Sequence, residues 1–509
     1  MMDEKAPFLA SALLPLYYPR AGDALAASEQ RRTVSVGERW WHLGDLAWRW
    51  IFRLCIVFVW YIVLVHFNPL LRSWVTQDSD AGIDVPIRIQ RFWGQYSPYY
   101  PAGEYTPIPT GCNITQVSKL HRHGARYPSH SDGPDYKAAV SKLLAADKYK
   151  VPELQFLKTY EYVLDEDYLV PLGAEQSWES GIEAHERYGR LVRSAEDVFV
   201  RASDMERVVD TAGNWTLGFA DASRGKVKPS IGVILSEKLN STLHNDCPNA
   251  SEAEEEMATW VHQFAPSIAK RLNQAAPGAN VSDQDVFGLM AMCPFESIAH
   301  AQAEPHMQKR KSHSKFCDLF ADDEWPAFEY HGDIEKYYKT GPGNTLGLVQ
   351  GVGYVNELLA RLTDSPVHDH TQHNASLLFP LHKALYADFS HENLMVAVYA
   401  ALGLFNVTEG DAPNPRKIPK DWEERVWRAS RMVPFSARMV VERLQCGRVR
   451  PEDVRGEETF VRVFVNDALQ PLEFCGAKTR EGMCRLDAFV KSQVYARNDG
   501  NGDFEKCYH

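Results

Sequence analysis

The sequence predicts an α/β fold, a sheet domain carrying an α-helical insertion, and three observations predict it. Apolar runs pass through short polar turns into helical patterns at 198–212 and 384–405. Two alternating runs, 437–444 and 459–465, read as adjacent strands. Residues from about 225 to 345 form a mainly helical block between the 198–212 and 384–405 segments.

Taken in order, Val198 to Val200 leads through Arg201 into SDMERVVDTA, where Ser203 and Glu206 make a capping box and Met205, Val208, Val209 and Ala212 line one helix face. The stretch from Ser251, SEAEEEMATWVHQFAPSIAKRLNQ, is helical. Ala384 to Ala387 leads through Asp388 and Ser390 into HENLMVAVYAALGLF, apolar nearly all round and therefore a buried helix. CNITQVSKLHRHGARYP, from Cys112, resists assignment, because Ile114, Val117 and Leu120 recur every three residues and strand alternation is missing.

Ahead of this body, Leu54 to Phe67 is apolar except for His66, and a helix over Trp50 to Leu71 spans about 33 Å, one hydrocarbon core, with Arg53 snorkelling toward one face. About fifty residues precede it, too many for a cleaved signal peptide, and no small-x-small site follows. Arg39, Arg49 and Arg53 flank its N-terminal side, so a type II signal anchor is expected: 1–49 cytosolic, 50–71 transmembrane, 72–88 a polar stalk, 89–509 the lumenal or extracellular domain. A buried core helix is the plain alternative.

Eight of the nine cysteines and seven Asn-x-Ser/Thr sequons lie beyond the span, at Asn113, Asn214, Asn240, Asn249, Asn280, Asn374 and Asn406. No CxxC pair exists, so disulfides in an oxidising compartment are expected rather than a zinc or redox site. The formal net charge is −12, against +2 for the first 72 residues, which excludes a protein built to wrap nucleic acid.

The chemistry concentrates in Arg122-His123-Gly124-Ala125-Arg126-Tyr127-Pro128. Two guanidiniums can fork onto phosphoryl oxygens, Gly124 lets the backbone approach closely, and the imidazole between them can attack phosphorus. The bland alternative is a solvated basic loop with a structural histidine.

RHGARYP, together with FVRASDMERV and LYADFSHE, resembles the histidine acid phosphatase family, most nearly its fungal phytase branch, from Trp93 to the C-terminus. The resemblance implies a sheet domain with helices on both faces and a phosphomonoester hydrolase, with phytate or related inositol phosphates as substrate at acidic pH. It implies His123 as nucleophile, Glu392 as proton donor, and Arg122, Arg126, Arg201 and His391 as phosphate ligands. No cofactor and no metal are expected. Disulfides carry over as Cys112–Cys446, Cys247–Cys507, Cys293–Cys317 and Cys475–Cys484, leaving Cys55 unpaired.

Two departures stand out. His391-Glu392 replaces the family's His-Asp, lengthening the acid's arm by one methylene. Asp132 and Asp135 stand where the phytases have lysines that hold remote phosphates, with Lys137 nearby and Lys336 farther along. A broad-specificity acid phosphatase is therefore a second expectation. A catalytically silent, membrane-anchored glycoprotein that binds phosphorylated ligands is a third.

Overall fold

The computed structural model describes residues 82–301, 312–408, 410–447, 458–477 and 482–509. The span expected at 50–71, its cytosolic tail and most of the stalk lie outside these residues. Among the described residues, no helix is long and apolar enough to cross a membrane.

One sheet organises the body. Its strands are β1 (Cys112–Arg122), β2 (Val198–Ser203), β3 (Ile231–Leu235), β4 (Leu385–Ser390), β5 (Arg438–Cys446), β6 (Glu458–Val465), β7 (Ala468–Leu469) and β8 (Cys484–Arg485). Their order is β3-β2-β4-β1-β5-β6-β7, with β8 also on β6. The first four run parallel, while β5 and its neighbours run antiparallel. The two alternating runs are β5 and β6, paired from Met439 opposite Val465 to Cys446 opposite Glu458.

The unassigned segment is β1, the strand between β4 and β5. Val117 packs into one apolar layer with Trp215 and Phe219, and Leu120 into the opposite layer with Val355, Leu394 and Val441. A strand covered on both faces has no polar face to alternate with. A register shift between Ile114 and Gln116 disturbs the period further.

The helices that matter for the cleft are α1 (Gly133–Leu144), α2 (Pro171–Tyr188), α3 (Glu206–Ala222), α4 (Glu254–Ala275), α5 (Asp283–His300), α6 (Trp325–Lys339), α7 (Val352–Thr363) and α8 (Glu392–Leu402). Helices α2 and α3 supply Ala184, Tyr188, Trp215 and Phe219 to one side of the sheet, α7 and α8 supply Val355, Leu358 and Leu394 to the other. The segment that opens the expected helical block holds β3, and α4 to α6 follow it. Helix α8 is buried from Leu394 to Leu402, as its pattern demands.

The capping box expected at Ser203 and Glu206 does not form. Ser203 is the last residue of β2, and the N-cap of α3 is Met205, with no side-chain cap. The strand simply continues one step past the point where propensity would start the helix.

All four expected disulfides are present, Cys112–Cys446, Cys247–Cys507, Cys293–Cys317 and Cys475–Cys484. Cys112–Cys446 joins the register partners at the shared end of β1 and β5.

Candidate active site

Parallel strands collect ligands at their carboxyl ends, where the following helices begin. Here β1 ends at Arg122, directly before His123, and β4 ends at Ser390, directly before His391 and Glu392. β2 ends four residues before Arg207, in the first turn of α3. His123, Arg126, Arg207, His391 and Glu392 line one cleft of about 930 Å³, whose far wall carries Phe287 of α5 and His331, Lys336 and Lys339 of α6.

His123 is 1% exposed and its Nδ1 lies 2.9 Å from the Gly124 carbonyl. That carbonyl can only accept, so Nδ1 carries a proton and, in the neutral ring, Nε2 presents its lone pair. Nε2 has no hydrogen-bond partner and sits 3.6 Å from Glu392 Oε2, beyond hydrogen-bonding reach. Burial pushes His123 well below the ordinary imidazole range, and Arg122 and Arg207 push it the same way against Glu392. The ring is neutral, with its Nε2 lone pair free.

Gly124 earns its place differently from the sequence argument: a Cβ there would come within 2.4 Å of the Gly173 carbonyl oxygen. The close approach is to the start of α2, while Gly124 N–H donates to Thr211 Oγ1 of α3 at 2.9 Å. The loop is clamped between two helices.

Arg122 is fully buried, with its guanidinium 4.5 Å from the Phe435 ring centre and Nε 2.9 Å from Glu392 Oε2. Arg126 Nη1 donates to the Tyr127 carbonyl at 2.7 Å, leaving Nε unpartnered. Burial pushes the Glu392 carboxyl up, but Arg122 and then Lys336, 3.8 Å away, outweigh it and hold the group well below the usual carboxylate range.

Arg201 departs from expectation. Nε donates to Asp388 Oδ1 and Nη2 to Glu357 Oε2, both at 2.7 Å, and the side chain is not part of the cleft wall. It is the register partner of Asp388 across β2 and β4, and both point to the α7 side of the sheet, where Arg361 also reaches Asp388. The arginine that does face the cleft is Arg207, whose Nη1 donates to Asp167 at 3.1 Å while Nε stays unpartnered. Both arginines stand in FVRASDMERV; the second opens a helix at a strand's carboxyl end, and that position was the available signal.

Asp132 and Asp135 line the cleft, and Lys137 does not. Of the lysines there, Lys142 pairs with Asp285 at 2.5 Å and Lys336 with Glu335 at 2.6 Å, while Lys339 pairs with Glu252. His123, His391 and Glu392 could each offer one ligand atom to a metal, these atoms lying within 4.8 Å of one another. Arg122, Arg207 and Lys336 beside them make the place favourable to an anion and unfavourable to a dication.

A neutral imidazole under guanidiniums at the ends of β1, β2 and β4 is a phosphoryl-transfer arrangement, and the model of the histidine phosphatase superfamily (branch 2) matches residues 113–466. The chain belongs to that family. It is 38% identical over 443 residues to a protein named Phytase A from Aspergillus fumigatus, covering 83% of this chain and 92% of that one. It is 35% identical to Phytase A of Neurospora crassa, covering 90% of this chain and 100% of that one. The crystal structure of the phytase from D. castellii superposes with a TM-score of 0.63 at 23% identity, over 84% of this chain and 89% of that one. That of the Bifidobacterium longum multiple inositol polyphosphate phosphatase with inositol hexasulfate gives 0.54 at 14% identity, over 78% and 96%. These two likenesses establish the histidine phosphatase fold for the sheet and its helices.

Proposed function

We propose that the chain hydrolyses phosphomonoesters, phytate and related inositol phosphates foremost, through a phosphohistidine on His123. The observation that carries the reading is the unpartnered His123 Nε2, buried at the floor of the cleft and made neutral by burial. Arg126, Arg207 and His391, which line the cleft, hold the phosphoryl oxygens and replace the hydration they lose, with Arg122 acting from behind the wall through its unpartnered Nη2 while Nη1 donates to the Gln95 and Val433 carbonyls. Nε2 attacks phosphorus, the ester P–O bond breaks, and Glu392 gives its proton to the departing alkoxide. Water then attacks the phosphohistidine, its proton returns to Glu392, and orthophosphate leaves with the electron pair restored to Nε2. Phosphate release from phytate and from an aryl phosphate, followed across acidic pH, tests the reading; no release from either sinks it.

The two arginines of FVRASDMERV separate by phenotype. Arg207→Ala lowers kcat/KM about 100-fold and leaves thermal unfolding nearly unchanged, because the side chain is largely ligand-facing. Arg201→Met does the reverse: it strips a partner from the buried Asp388 and Glu357 carboxylates and lowers stability by roughly 3 to 5 kcal/mol. Kinetics and calorimetry on the two variants check this.

The acidic rim bears on substrate choice. Asp132, Asp135 and the carboxylates paired with the cleft lysines oppose a densely charged polyphosphate more than a monoester. This favours broad phosphomonoesterase activity as the second reading. The double variant Asp132→Lys/Asp135→Lys lowers KM for phytate roughly tenfold and changes KM for an aryl phosphate less than about twofold, since only the polyphosphate reaches the rim.

The same reading sets the body in the lumen or outside the cell, carried by a single-pass type II anchor at 50–71. Asn113, Asn249, Asn280, Asn374 and Asn406 are exposed, and four disulfides suit an oxidising compartment. In microsomes the body is then protease-protected and loses mass on deglycosylation; a protease-sensitive, unglycosylated body refutes the topology.

A further inference from the structure

Glu237 is an acid for which the hydrolytic steps have no use, yet it lines the cleft two residues beyond β3. Its Oε1 is 2.6 Å from His391 Nε2. The segment is fastened down: Glu237 N–H donates to Asp204 Oδ1 at 2.9 Å, and Asp204 N–H donates to the Leu235 carbonyl at 2.9 Å. Ser203 Oγ lies 3.5 Å from the same His391 nitrogen, and His244 Nε2 lies 3.8 Å from Glu237 Oε2. The other charged or titratable groups around this pair are His123, whose ring centre is 5.4 Å from that of His391, with Glu392, Arg207 and Asp246.

A carboxylate inside a phosphate cleft repels the ligand, so its presence at hydrogen-bonding distance from a phosphate-binding ring calls for a compensating gain. Burial pushes the Glu237 carboxyl up, but the hydrogen bond and charge of His391 bring it down to about 2, so it stays ionised at every working pH. A phosphoryl oxygen offers only lone pairs, and His391 can bind one only through an N–H. With Nε2–H given to Glu237, the ring plane is fixed and the second nitrogen is the one left to meet phosphate. Carboxylates orient imidazoles in this way in metal and triad sites.

We infer that Glu237 is the positioning residue for His391, fixing its ring through Nε2 so that the other ring nitrogen is turned to the phosphoryl group. This rests on the cleft being the phosphohistidine site argued above. It predicts the opposite of what a merely repulsive acid would do, since removing such an acid would tighten phosphate binding.

The test measures inorganic phosphate affinity by calorimetry, and kcat and KM on an aryl phosphate, for the full chain and for Glu237→Gln, Glu237→Asp, His391→Ala and Glu237→Gln/His391→Ala. Glu237→Gln is expected to weaken phosphate binding about tenfold and to lower kcat/KM 10- to 100-fold, with Glu237→Asp recovering part of both. In the His391→Ala background, Glu237→Gln is expected to cause no further loss. Unchanged or tighter phosphate binding in Glu237→Gln overturns the inference, as does a loss that persists without His391. Failure of the underlying reading shows separately, as an unaltered chain whose His123 is never phosphorylated.

Discussion

His123→Ala yields no trappable phosphoenzyme and lowers phosphate release by about four orders of magnitude or more, while the protein stays folded. On the proposed mechanism the loss follows from removing the atom that forms the covalent bond: the arginines still gather phosphate, but water must then attack the ester directly. The structural penalty is small, because the ring makes one hydrogen bond, Nδ1 to the Gly124 carbonyl, worth roughly 0.5 to 1.5 kcal/mol. Rapid acid quench with a ³²P-labelled substrate reads the intermediate directly. A phosphoenzyme surviving in His123→Ala would move the nucleophile elsewhere; none in the unaltered chain at any acidic pH would favour a silent phospho-ligand binder.

Glu392→Gln lowers kcat on phytate by about 10²- to 10⁴-fold, and far less on 4-nitrophenyl phosphate, whose leaving group departs without a proton. The pH dependence carries a sign. In the free enzyme Arg122 and Lys336 override burial and keep Glu392 ionised. A bound phosphoryl group engages Arg122 and adds negative charge nearby, which raises the carboxyl and lets it hold its proton in mild acid. The rate on phytate therefore falls as pH rises through the Glu392 value in the complex, and that limb disappears in Glu392→Gln. Equal kcat in both proteins across the acidic range would remove Glu392 from the donor's role. Glu392 Oε2 lies 2.9 Å from Arg122 Nε.

Much of this site was legible because its parts are local. RHGARYP offers its chemistry by residue type, whereas His391 and Glu392 enter through the family resemblance; both segments follow directly on strand ends, β1 and β4. What failed was orientation. Arg201 lies within β2, where strand register turns it toward Asp388 and Glu357, and no local pattern encodes partners 187 and 156 residues away. Glu237 was invisible for the same reason, 154 residues from the ring it touches. β1 hid because alternation reports a solvated face and this strand has none. The helix start expected at Ser203 lies two residues later, at Met205, within the ordinary fraying of element boundaries, and no side-chain cap forms there.

The strand that leads into His123 has both lateral partners far downstream, β4 at 385–390 and β5 at 438–446. During translation its apolar faces and unpaired backbone must wait for most of the chain to leave the ribosome, a period in which aggregation competes with pairing. Chains stopped before about residue 446 lack β5 and Cys446, so they should depend heavily on chaperones and accumulate as insoluble, uncrosslinked material.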